Sequence, residues 1–108
     1  MKEIEEKVEG LKDDYKDNKV QWHLLDLTML EGVVRLYEFG LTKYKRNSWK
    51  YIEDGEERCY SAAIRHLNLH RNGEEIDEES KQMHIDAAIW NLLTMKYHYL
   101  KNKKNGNK

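Results

Sequence analysis

An all-α helical bundle is the fold class this sequence predicts, and three observations predict it. The chain has no proline. It has no long run with the two-residue alternation of a half-buried strand. Apolar residues instead recur at helical spacing in three stretches, about residues 28–44, 57–72 and 78–100. Residues 20–100 read as the domain. Residues 1–19, rich in Lys, Glu and Asp, carry a thin stripe of Ile4, Val8, Leu11 and Tyr15 and read as a charged N-terminal helix or arm. Residues 101–108 hold four Lys and no apolar side chain, the composition of a disordered basic tail.

Taken in order, Asp17-Asn18-Lys19 marks a turn, and Val20, Trp22 and Leu24 predict an extended or irregular segment whose Trp22 covers an edge of the core. Thr28 and Glu31 have the spacing of a capping box that would open the first helix. Its apolar face is Leu30, Val33, Val34, Tyr37 and Leu41, with Gly40 marking a bend or close contact. Trp49 and Tyr51 fall in the connection that follows, either pinning it to the bundle or lining a pocket. Asp54 and Glu57 repeat the capping-box spacing before a helix packed through Tyr60, Ala62, Ala63 and Leu67, which Gly73 stops. Asp77 is placed to cap the last helix, with Glu78 and Glu79 in its first turn and Ile85, Ala88, Ile89, Leu92 and Leu93 on its face.

A chain of 108 residues suits one domain, and with 39% hydrophobic and 36% charged residues its core is modest, which favours association into a dimer or larger assembly. A formal net charge of −1 argues against the broad attraction that nucleic-acid binders use. Cys59 stands alone, so no internal disulfide forms. No apolar run approaches the ~18 residues of a membrane span, and no signal peptide is visible, as expected of a cytoplasmic protein.

Polar groups interrupt the apolar stripes. Arg65, His66 and His70 lie on the middle helix, and His84, Asn91 and His98 on the last. Buried polar groups need partners, water, metal or ligand, so a polar seam between helices is the place to seek function. Each residue also has a plainer role. Glu31 and Glu38, about 10 Å apart along one helix, are either metal ligands or a cap and a surface acid. His66 with His70, and His84 with Asn91, are either ligands or packed side chains. Arg65 demands an anion, which Asp77, Asp86, Glu38 or a phosphate would supply. Lys43, Lys45 and Arg46 suit a helix C-terminus and equally a polyphosphate, with Asn47 and Trp49 closing over a base or sugar.

The segments DNKVQWHLL and LEGVVRLYEFGLTKYKRNSW, then AIRHL, NGEEIDEES, His84 and the AIWN of Ala88 to Asn91, resemble a phage and bacterial family. It is the dATP/dGTP diphosphohydrolase N-terminal domain family, related to the all-α MazG-like nucleotide pyrophosphohydrolases. The resemblance implies a bundle, usually dimeric or larger, that binds a divalent ion and a nucleoside triphosphate. It also implies attack of water at the α-phosphorus, releasing pyrophosphate and a monophosphate. By position, Glu31, Glu38 and Asp77 would hold Mg²⁺ or Mn²⁺, and Lys43, Tyr44, Asn47, Trp49 and Asn91 would bind the nucleotide. Arg65 and Lys43 would neutralise phosphate, and His66 or His84 would orient water or the leaving pyrophosphate. The chain departs from the pattern in having His84 and Asn91 where a carboxylate pair is expected, and Lys81 where the family has glycine. A nucleotide-sequestering protein and an inhibitor of a host protein, acting through Trp90, Tyr97 and Tyr99, are the rival readings.

Overall fold

The computed structural model describes residues 18–106; the arm expected over 1–19 lies, up to residue 17, outside them. The described residues form three α-helices, α1 (Glu31–Gly40), α2 (Gly55–Arg71) and α3 (His84–Lys104), with short 3-10 turns at Trp22–Leu24, Leu27–Leu30 and Ser48–Tyr51. Among them the one strand-like feature is a single antiparallel bridge between Ile76 and Met83. The architecture is all-α.

Neither capping box forms. Asp26 accepts from the Thr28 N–H at 3.0 Å and from the Thr28 hydroxyl. This ties up Thr28 in a 3-10 turn, and α1 starts only at Glu31. It ends at Gly40, and Leu41–Tyr44 turn away with bonds back to Glu38, Phe39 and Gly40. Trp22 does not cover the core: the 3-10 turn leaves it 73% exposed.

Asp54 precedes α2 in a left-handed conformation (φ 54°) and makes no side-chain cap. Its carbonyl accepts the Arg58 N–H at 2.9 Å instead. Gly55 follows because nothing larger fits: a Cβ there would lie 2.6 Å from the His98 ring. At the other end Glu74 N–H reaches Leu69 O and Gly73 N–H reaches His70 O, both at 3.0 Å, with Gly73 at φ 93°. That is a Schellman stop, as its sequence position predicts.

Asp77 does not cap α3. Its carboxylate accepts from the Ser80 N–H (3.1 Å) and hydroxyl (2.9 Å), and its carbonyl accepts the Lys81 N–H at 2.8 Å. These bonds, with Asp77 N–H to Gln82 O and His84 N–H to Glu75 O, both 2.8 Å, fold residues 75–84 into a tight hairpin. The helix therefore begins six residues late, at His84. It then runs through Lys104, so the first four residues of the expected tail are helical. Lys101 is held there by donating to Lys50 O at 3.0 Å.

The main packing is α2 against α3, with α1 laid on α3. Cys59, Ala63, Ala87 and Ala88 are buried, with Val33 from α1, and so are His66, His84, Asn91, Thr94 and His98. Small residues let the helices approach closely, and the polar groups share that seam. The longer aliphatics expected in the core, among them Val34, Leu41, Leu67, Leu92 and Leu93, are exposed. Among the described residues no helix is long and apolar enough to cross a membrane.

Candidate functional site

A groove of about 770 Å³ opens between α1, the 41–52 connection, the 77–80 turn and the α2–α3 seam. That is the size range of small-molecule sites. The connection is folded over it by Asn47, whose left-handed backbone (φ 66°) is one that asparagine tolerates. The Ser48–Tyr51 turn that follows docks Trp49 between Tyr37 (5.7 Å) and Tyr97 (5.0 Å), and Tyr37 also packs on Trp90 at 5.7 Å. His98 donates from Nε2 to Trp49 O at 2.8 Å, fixing the turn from below. Trp49 thus both pins the loop and lines the pocket.

One wall is aromatic, from Tyr37, Trp49 and Trp90. Lys43, Lys45, Arg46 and Arg58 bring positive charge, and His66, Asp77, Ser80 and Asn91 bring hydrogen-bonding groups. The Trp90 indole N–H is buried without a partner among the described residues. Leaving such a donor unpaired costs roughly 1–3 kcal/mol, and Trp90 itself is among the residues that line the groove. Asn91 is partly spent on its own helix, donating to Ala87 O at 2.8 Å.

Behind the groove runs a chain of polar side chains. Glu74 Oε2 lies 2.7 Å from His84 Nε2, His84 Nδ1 lies 2.8 Å from His66 Nδ1, and Arg65 reaches His66 Nε2 at 3.4 Å. The 75–84 hairpin brings Glu74 and His84 together. Burial, with Arg65 and His84 nearby, pushes the His66 pKa below its ordinary value, against a smaller pull from Asp77. Burial would raise the Asp77 carboxyl, but the two Ser80 hydrogen bonds, His66 and His84 outweigh it and hold it low.

Of the residues singled out in the sequence, Glu38, Lys43, Tyr44, Asn47, Trp49, His66, Asp77 and Asn91 all line the groove. His84 lies behind it, 2% exposed, and Arg65 is an exposed neighbour of His66. Glu31 is apart, on the exposed face of α1. Arg35 binds Glu38 at 2.9 Å and Glu31 at 3.9 Å. Lys43 is held by Glu79 at 3.4 Å. His70 is exposed while His66 is buried, so the two do not act as a pair. Among the described residues no three His, Cys, Asp or Glu converge to hold an ion. With Glu31 and Glu38 on Arg35 and Asp77 on Ser80, the donor set does not fit a divalent ion held by the protein alone. Trp90 and Tyr97, expected on an outer aromatic surface, turn inward. Glu74 was hidden in an acidic run, and no spacing rule pairs it with His84. The Trp90 donor was hidden because helical periodicity explains an aromatic residue there without any ligand.

Compared with known proteins, residues 9–108 match the family model described as dATP/dGTP diphosphohydrolase, N-terminal. No curated protein and no solved structure matches significantly.

Proposed function

From the membership of this chain in the dATP/dGTP diphosphohydrolase N-terminal family, we propose that its groove binds a purine deoxynucleoside triphosphate and hydrolyses it to the monophosphate and pyrophosphate. The observation that carries this reading is a groove whose lining joins the aromatic faces of Tyr37, Trp49 and Trp90 to the cations Lys43, Lys45, Arg46 and Arg58. Purine rings present flat faces, and triphosphates attract Lys and Arg, so the two features suit one ligand. In this reading Trp49 and Trp90 meet the base, Tyr44, Asn47 and Asn91 the sugar or base edges, and Lys43 and Arg65 the phosphates. His66 orients water, with His84 supporting it. Mg²⁺ or Mn²⁺ belongs to the nucleotide rather than to the free protein, since such ions are commonly held by one or two carboxylates plus substrate phosphates. Glu38 and Asp77 are the predicted metal ligands on the groove wall, whereas Glu31 is remote from it. Self-association into a homo-oligomer belongs to the same proposal.

The test is a titration of tryptophan fluorescence with dGTP and dATP, paired with an assay for pyrophosphate in the presence of Mg²⁺. Binding with turnover that His66→Ala abolishes is expected. Absence of both, in protein with native helicity, overturns the reading. Binding without turnover would favour the alternative of a sequestering protein, which draws support from the dispersed carboxylates.

A further inference from the structure

The chain from Glu74 to Arg65 contains two imidazoles facing each other through like atoms, Nδ1 to Nδ1 at 2.8 Å. Such a contact holds only if one nitrogen carries a proton and the other a lone pair. The two ends of the chain decide which. Glu74 is a carboxylate acceptor 2.7 Å from His84 Nε2, so that nitrogen must carry the proton. A neutral His84 then has its lone pair on Nδ1, and His66 must donate to it from Nδ1. His66 Nε2 is left as an acceptor. At the other end Arg65 can only donate, and it is to His66 Nε2 that its guanidinium points, at 3.4 Å. The acceptor at one end and the donor at the other require the same protons.

The charged groups around His66 agree: Arg65 on α2 opposes a positive ring, and the smaller pull of Asp77 from the connecting hairpin does not offset burial. Of the acids only Glu74 is bonded to a ring, and the His84 Nε2–H meets that bond. A second proton on either ring would set two donors face to face at Nδ1, or set His66 Nε2–H against Arg65.

From this the geometry points to Glu74 and His84 as positioning residues that lock His66, on the groove wall, as the neutral Nδ1–H tautomer with Nε2 as a hydrogen-bond acceptor. Free imidazole prefers the opposite tautomer, so the lock has to be imposed by the neighbours. The consequence for catalysis rests on the hydrolysis reading: an acceptor at Nε2 is what orienting a water molecule requires. Arg65, on a long bond and exposed, is free to leave Nε2 for phosphate.

The lock is tested without nucleotide, by long-range ¹H–¹⁵N correlation of the imidazoles in wild type, Glu74→Ala and Glu74→Gln. Glu74 is 57% exposed, so both variants should fold. The expected wild-type spectrum has His66 protonated at Nδ1 and His84 at Nε2. Glu74→Ala should shift both rings toward the ordinary mixture, and Glu74→Gln, which retains an acceptor oxygen, should restore the wild-type pattern. His66 protonated at Nε2 in wild type, or a Glu74→Ala spectrum identical to wild type, overturns the proposal. In kinetics, Glu74→Ala should lower kcat about tenfold or more with KM nearly unchanged, and Glu74→Gln should recover most of it. Wild-type tautomers as predicted with no hydrolysis would sink the functional reading alone; hydrolysis with the wrong tautomers would sink only the lock.

Discussion

Lys43 and Glu79 face each other at 3.4 Å, both on the groove and both largely in solvent. An exposed pair of this kind is worth at most about 1 kcal/mol, but a phosphate must displace the carboxylate to reach the lysine. Glu79→Gln should therefore tighten nucleotide binding about two- to fivefold, read by fluorescence titration; weaker binding would mean that Glu79 aids the ligand. A second expectation concerns His66, whose folded pKa lies below its ordinary value of 6.5. Below that pH the unfolded chain takes up a proton that the native state refuses. Its contribution to stability is present above 6.5 and is lost as pH falls from there toward the folded pKa. Melting temperature should drop over that range in wild type and less so in His66→Gln. Residue identities were the most legible part of the site: eight of the positions chosen from sequence share one groove, because aromatic, basic and imidazole residues interrupting helical stripes mark it out. Glu74 was not legible, because only the folded hairpin gives it a partner.

Among the described residues the three helices stand in the order the sequence predicted, while their starts were displaced. Thr28 and Asp77 both looked like caps, yet each is engaged in a local turn, by Asp26 and by Ser80 respectively, that competes with helix formation. Lys81 shows the same competition. It sits at φ 66° in the hairpin, a conformation that favours glycine, the residue the family resemblance leads one to expect there. Lys81→Gly should stabilise the protein by about 0.5–1 kcal/mol, since relief of the left-handed backbone outweighs the entropy of glycine. Its ion pair with Glu78 is exposed and offsets little. Gly55→Ala should do the reverse and destabilise by about 1–3 kcal/mol, because its Cβ would press on the His98 ring that holds the Trp49 turn. Chemical denaturation of the two variants checks both signs.

Trp22, Leu24, Leu27, Met29, Leu92, Leu93 and Leu100 remain exposed, while the largest fully buried side chains include His84 and Thr94. Sequence periodicity identifies Leu92 and Leu93 as burying residues but cannot say whether the surface that covers them belongs to the same chain. The expectation of a homo-oligomer follows at this scale. Sedimentation should find a species larger than the 13.0 kDa chain, with a melting temperature that rises with protein concentration. A monomer at high concentration with a fixed melting temperature would contradict it.

Hydrolysis of dGTP in ¹⁸O-enriched water, with products resolved by mass, is the most direct measurement of what the groove does. The label should appear in dGMP, with unlabelled pyrophosphate released, as attack at the α-phosphorus requires. Label in inorganic phosphate with dGDP as the product, or no product above background from folded protein, would contradict it.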